Sequence, residues 1–111
     1  MPGLGKAYAG ELGFGTSTSD FLPIVKVAPI YPARAAMRSL EGYVKVEYTI
    51  TATGDVEDVV VLETTSPIFV RAAVDSALKY KYRPRVVNGA PVAVTGVTTL
   101  IYFNLVAAET D

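Results

Sequence analysis

The 111-residue chain has no cysteine, no histidine and no tryptophan. Without cysteine there is no disulfide framework, no thiolate metal ligand and no thiol nucleophile. Without histidine the commonest general base, the commonest transition-metal ligand and every Ser-His or Cys-His pairing are gone. Neither sign of charge dominates. Ten Lys and Arg face eleven Asp and Glu, for a net charge of −1. The isoelectric point near 5.4 is far from the basic balance of a nucleic-acid-binding domain. No apolar run approaches the roughly 18 residues that a membrane-spanning helix needs. The first residues, Met1-Pro2-Gly3-Leu4-Gly5-Lys6, lack the basic start and apolar stretch of a secretory signal. Phosphate-loop and nucleophile-elbow motifs are missing as well. Gly5-Lys6 is followed by Ala7 with no upstream strand, and no Gly-x-Ser-x-Gly occurs. Glu41 and Glu47 are the nearest thing to a carboxylate pair, and nothing places a partner beside them. The expectation is a protein that is not an enzyme, with no catalytic residue, no cofactor and no metal.

What is present is the material of one small domain. Half of the residues are apolar, and a chain of this length buries roughly 65% of its unfolded surface on folding. The first 20 residues hold five of the nine glycines and end in Thr16-Ser17-Thr18-Ser19-Asp20. That composition predicts a flexible Gly/Ser-rich linker over 1–20, a folded domain over 21–106 and a short C-terminal tail over 107–111. Pro23, Pro29 and Pro32 keep the lead-in to the domain extended. Pro32 then suits the first turn of a short helix that reaches about Leu40.

Val44, Val46, Tyr48 and Ile50 alternate with Lys45, Glu47, Thr49 and Thr51, the pattern of a strand with one buried face. Thr53-Gly54-Asp55 marks a turn into a return strand over Val56 to Glu63. Val56 sits out of phase with Val59 and Val61, and a β-bulge near Glu57-Asp58 would bring all three inward. Thr64-Thr65-Ser66-Pro67 opens a second helix, with a hydroxyl N-cap and Pro at its first position. Phe69, Ala73, Ala77 and Tyr80 share its apolar face, and Leu78 falls on the wet side. Val87-Asn88-Gly89-Ala90-Pro91 is a turn. A last strand runs from about Val92 to Leu105, interrupted near Gly96. Val97, Thr99, Ile101, Phe103 and Leu105 lie on one face of it, and Thr98, Leu100, Tyr102 and Asn104 on the other.

The order helix, strand, strand, helix, strand predicts an α+β fold: a small three-stranded antiparallel sheet with two helices on one face and the last strand at the sheet edge. The expected core is Val44, Val46, Tyr48, Ile50, Val59, Val61, Phe69, Ala73, Ala77, Ile101 and Phe103, with Tyr31 packed against the sheet. Asp55, Glu57 and Asp58 lack the alternating oxygen ligands and central Gly of a Ca²⁺ loop, and read as a solvated hairpin end. Lys79-Tyr80-Lys81-Tyr82-Arg83-Pro84-Arg85 interleaves cations and aromatics as single-strand nucleic-acid binders do. Tyr80 is needed in the core, however, and the charge balance is negative, so no nucleic-acid partner is expected.

An ordered set of short motifs resembles one family. Pro29-x-Tyr31-Pro32-x-x-Ala35, Glu41-Gly42-x-Val44-x-Val46, Gly54-x-Val56-x-Asp58-Val59-x-Val61, Tyr80-x-Tyr82-x-Pro84, Asn88-Gly89-x-Pro91-Val92 and Phe103-x-Leu105 resemble the C-terminal domain of TonB energy transducers. The likeness covers about Phe21 to Leu105, and Asp20 to Val27 resembles the lead-in of some branches. It implies a periplasmic domain whose full-length protein is anchored in the inner membrane and coupled there to proton-driven motor proteins through parts absent from this chain. It also implies a grip on the TonB box, a short peptide of TonB-dependent outer-membrane receptors. Such receptors serve transmembrane transport of scarce nutrients, siderophore-bound iron and cobalamin among them.

In the family the box adds as a strand beside the last strand. That implies a receptor-peptide site made of Ala28, Pro29, Ile30 and Tyr31 with Thr98, Thr99, Leu100, Ile101, Tyr102, Phe103 and Asn104, working by β-augmentation. Two positions depart from the pattern: Ala28 stands where many relatives carry Gln, and Tyr80 where Trp is common. Two alternatives stay open. One is a passive cell-envelope interaction domain similar to the C-terminal domain of TolA. The other is a homodimer formed through the exposed edge strand.

Overall fold

A computed structural model describes residues 6–14 and 23–106. In chain order the elements are β1 (Lys6–Phe14), β2 (Pro23–Val25), α1 (Ala33–Met37), β3 (Gly42–Ile50), β4 (Val56–Thr64), a 3₁₀ turn (Pro67–Phe69) that runs into α2 (Val70–Leu78), β5 (Lys81–Tyr82), β6 (Arg85–Val87), β7 (Ala90–Val92) and β8 (Val94–Val106). The expected tail at 107–111, residues 1–5 and 15–20 of the expected linker, and Phe21-Leu22 of the lead-in lie outside the described residues.

The main sheet has the order β1-β8-β3-β4 and is antiparallel throughout. Its β8-β3-β4 part, with both helices on one face, is the α+β arrangement that the alternating patterns predict. On β3 the apolar positions Val44, Val46, Tyr48 and Ile50 are all buried, as are Val97, Thr99, Ile101 and Phe103 on β8. Phe69, Ala73, Ala77 and Tyr80 from the α2 region and Ala35 from α1 close the same core. Ser66 accepts a hydrogen bond from the Ile68 amide and Pro67 follows it, so the hydroxyl-then-proline start stands as expected.

Asp58 has φ 56°, and the β3 partner shifts from Val60 at Glu47 to Glu57 at Thr49. This is the bulge that the Val56 phase requires. Val56 is buried, and Val59 and Val61 pack half-buried against the core. A second shift, between Lys45 and Val46, skips Leu62. The β4 edge is thereby kinked twice and carries Glu57, Asp58 and Glu63 exposed, features that blunt an edge against pairing.

One expectation is corrected. The last strand does not end the sheet. Residues 6–14, which the glycine count assigns to a flexible linker, form β1 and pair with β8 from Lys6↔Val106 to Phe14↔Thr98. The physical reason is the edge itself: a long row of unsatisfied amides and carbonyls recruits any nearby extended segment. β8 runs unbroken through Gly96 from Val94 to Val106, so the interruption expected there is a bulge within one strand. Gly96 has φ 70°, and the register against β3 shifts between Tyr48 and Ile50.

Gly54 closes the β3–β4 turn at φ 89°, and its carbonyl accepts from the Tyr82 amide at 2.8 Å. A Cβ there would lie 2.1 Å from the Tyr82 carbonyl oxygen. Gly54→Ala should therefore cost more than the roughly 1–2 kcal/mol of the left-handed backbone alone, read as a lowered denaturant midpoint. A midpoint equal to that of the parent chain would contradict this turn geometry.

Candidate functional site

The residues implied for the receptor-peptide site fall into two groups. Thr98 to Asn104 form the middle of β8. Thr99, Ile101 and Phe103 are buried beneath the helices, so their side chains are closed to an outside partner. Thr98, Leu100 and Tyr102 are half-buried on the opposite face, and Asn104 is exposed there. Tyr43 faces Tyr102 across the ladder with ring centroids 6.3 Å apart.

Two hydrogen bonds fix where the β8 backbone points. The Tyr43 amide donates to Thr65 Oγ1 at 2.9 Å and its carbonyl accepts from the Thr65 amide at 3.1 Å, so the backbone groups of Tyr43 point to the β4 side and those of its neighbours Gly42 and Val44 to β8. The Leu105 amide donates to the Glu41 carboxylate at 2.7 Å, on the β3 side. Backbone groups alternate along a strand. Thr99, Ile101, Phe103 and Leu105 therefore aim their N–H and C=O at β3, and Thr98, Leu100, Tyr102 and Asn104 aim theirs at the far edge, where β1 lies. Glu41, for which the sequence offers no partner, thus caps the end of β8.

The second group is the lead-in. The Val27 carbonyl accepts from Ser76 Oγ at 2.5 Å, which ties the chain to α2. Ala28 and Ile30 are exposed, and Pro29 is half-buried. Tyr31 is half-buried rather than sealed. Its ring meets Phe69 and Phe103 edge-on at 5.9 and 5.6 Å. Its hydroxyl donates to the Leu40 carbonyl at 2.5 Å and lies 3.5 Å from that of Phe103. The fold therefore brings Tyr31 of the lead-in to Phe103 of β8.

Burial and then the nearby Glu41 charge raise the Tyr31 phenol above its ordinary pKa of 10.0. The folded state keeps this proton better than the unfolded chain does. The contribution is whole below about pH 10 and is lost as pH climbs above it. Tyr31→Phe should cost about 0.5–1.5 kcal/mol at neutral pH and flatten part of the alkaline loss of stability, checked by melting midpoints from pH 7 to 11. An unchanged alkaline profile would contradict the Tyr31 role.

Tyr82 is a buried residue that the pattern missed. Its hydroxyl meets that of Tyr48 at 2.5 Å, and Tyr48 also reaches Thr99 Oγ1 at 3.1 Å. Tyr80 and Tyr82 are both inside, so the Lys79–Arg85 run offers no aromatic platform for bases. Lys81 pairs instead with Asp55. That pairing and a hydrogen bond from Thr53 hold the Asp55 carboxyl below its usual range. Among the described residues no cluster of three or more His, Cys, Asp or Glu side chains could hold a metal ion, and no helix is long and apolar enough to cross a membrane.

Two helices on one face of an antiparallel sheet, with the long β8 between β1 and β3, define a small α+β domain. The sequence model of the Gram-negative bacterial TonB protein C-terminal matches residues 27–105, and the chain belongs to that family. It is 34% identical over 98 residues to Protein TonB of Pseudomonas aeruginosa, covering 87% of this chain and 28% of that protein. It is 33% identical over 94 residues to Protein TonB of Klebsiella pneumoniae, covering 85% and 37%. The chain thus spans about a third of the length of these curated relatives. The solution NMR structure of the Pseudomonas aeruginosa TonB CTD is similar at a TM-score of 0.65 and 33% identity, covering 88% of this chain and 98% of that one. A structure of the TonB2 protein of Vibrio anguillarum is similar at 0.60 and 33%, covering 84% and 88%.

Proposed function

We propose that this domain works in the periplasm and grips the TonB box of outer-membrane receptors by adding it as a strand along β8. In this reading it passes on force from an inner-membrane, proton-driven motor to drive nutrient uptake. The observation that carries the reading is the alternation on β8. Thr98, Leu100, Tyr102 and Asn104 direct their backbone groups to a side of β8 that already pairs with an extended antiparallel segment from Thr98 to Val106. Main-chain bonds supply affinity that tolerates sequence variation, and Leu100 and Tyr102 add apolar contact on the outer face. Each bond adds only about 0.5–1.5 kcal/mol, so the grip is weak. Tension along the strand loads all of these bonds together, which suits a weak complex that must carry force.

Titration of the chain with N-terminal peptides of TonB-dependent receptors, beside scrambled versions, tests the reading. Saturable binding of the native peptides alone is the expected result. Equal binding of native and scrambled peptides, or of neither, would leave the passive envelope-interaction reading in its place.

A further inference from the structure

We infer that residues 6–14 are a tethered occupant of the same β8 edge, which an incoming receptor peptide must displace. This builds on the strand-addition reading above and adds a regulatory element to it. The β1–β8 ladder runs through nine positions without a shift and covers the whole of Thr98 to Asn104. Both ladders of β3 are broken by shifts. No proline lies between Lys6 and Phe14, so each outward group of β8 meets a residue with both a donor and an acceptor.

The connection from Phe14 to Pro23 is the eight residues 15–22. A tether of that length sets an effective concentration on the order of millimolar, which favours the cis strand without new contacts. The strand itself is weak. Gly10 and Gly13 lie inside it, and glycine loosens a strand interior. Proximity rather than intrinsic strength therefore holds β1 in place, and a receptor peptide at sufficient concentration can exchange with it. The measured affinity of the chain is the intrinsic affinity scaled by the fraction with an open edge.

Proline substitutions in the full chain test this. Gly10 and Leu12 lie opposite Tyr102 and Leu100, the positions whose backbone groups face β1. Gly10→Pro and Leu12→Pro should tighten receptor-peptide binding several-fold to about tenfold, with a smaller gain for Ala9→Pro and Glu11→Pro, whose amides point away from β8. In the absence of peptide, Gly10→Pro should also speed hydrogen exchange at the Leu100, Tyr102 and Asn104 amides. If peptides bind β8 with the same affinity in Gly10→Pro and the parent chain, cis occlusion is wrong and the strand-addition reading survives. If no peptide binds any variant, the functional reading fails and exchange alone decides: faster exchange in Gly10→Pro upholds the cis strand, and unchanged exchange overturns it.

Discussion

Phe69→Ala should cost about 3–5 kcal/mol, a large share of the roughly 5–15 kcal/mol that holds a domain of this kind together. Phe69 is fully buried. It stacks on Phe103 with centroids 4.5 Å apart and planes at 21°, and it also takes the edge of Tyr31. Truncation removes the transfer free energy of the ring and leaves a hole between Phe103 of β8, Tyr31 of the lead-in and Gly42 of β3. These are held by separate connections and cannot all close on it. The melting midpoint should fall by roughly 12–30 °C. Leu78→Ala on the same helical segment should change it little, because Leu78 is 47% exposed. Equal midpoints for the two variants would mean that the buried face of this segment is misassigned.

A proline scan along β8 should split by parity. At Thr99 or Ile101, proline removes a bond to β3 and disrupts a buried side chain as well, so the domain should unfold. At Leu100 or Tyr102 the lost N–H points to the outer edge. The bond lost there is to the weak β1 strand and not to the β3 ladder that carries the core, so those variants should stay folded by circular dichroism. They should nonetheless lose receptor-peptide binding, because the missing amide breaks the added ladder. Side-chain changes such as Thr98→Ala should leave binding nearly intact. If every folded proline variant binds as the parent does, the outer edge is not the ladder.

Much of this arrangement is written in local pattern. Val44 to Ile50 alternates so strictly that its buried face needs no tertiary information, and the phase of Val56 against Val59 already demands the bulge that Asp58 makes with φ 56°. Tyr82 is different. It follows the helix in a short basic run, and only the fold sets its hydroxyl against Tyr48. Glu41 is equally silent in sequence, since its partner is a backbone amide 64 residues away.

The largest departure, β1, has a physical cause. Lys6 to Phe14 contains Gly10 and Gly13 and lacks the β-branched residues that announce a strand. Its pairing comes from the edge it meets rather than from its own preference. The motif set identifies the family, and the split of Thr98 to Asn104 into groups facing β3 and groups facing outward emerges only once the Tyr43 and Leu105 hydrogen bonds are known.

The most direct measurement of the central claim is an NMR study of the isotopically labelled chain with a receptor N-terminal peptide. Cross-strand NOEs should run from the peptide backbone to Leu100, Tyr102 and Asn104, and those from residues 6–14 to the same positions should fade as the peptide is added. Peptide NOEs confined to the β4 edge or to α2, with β8 unaltered at saturation, would contradict it.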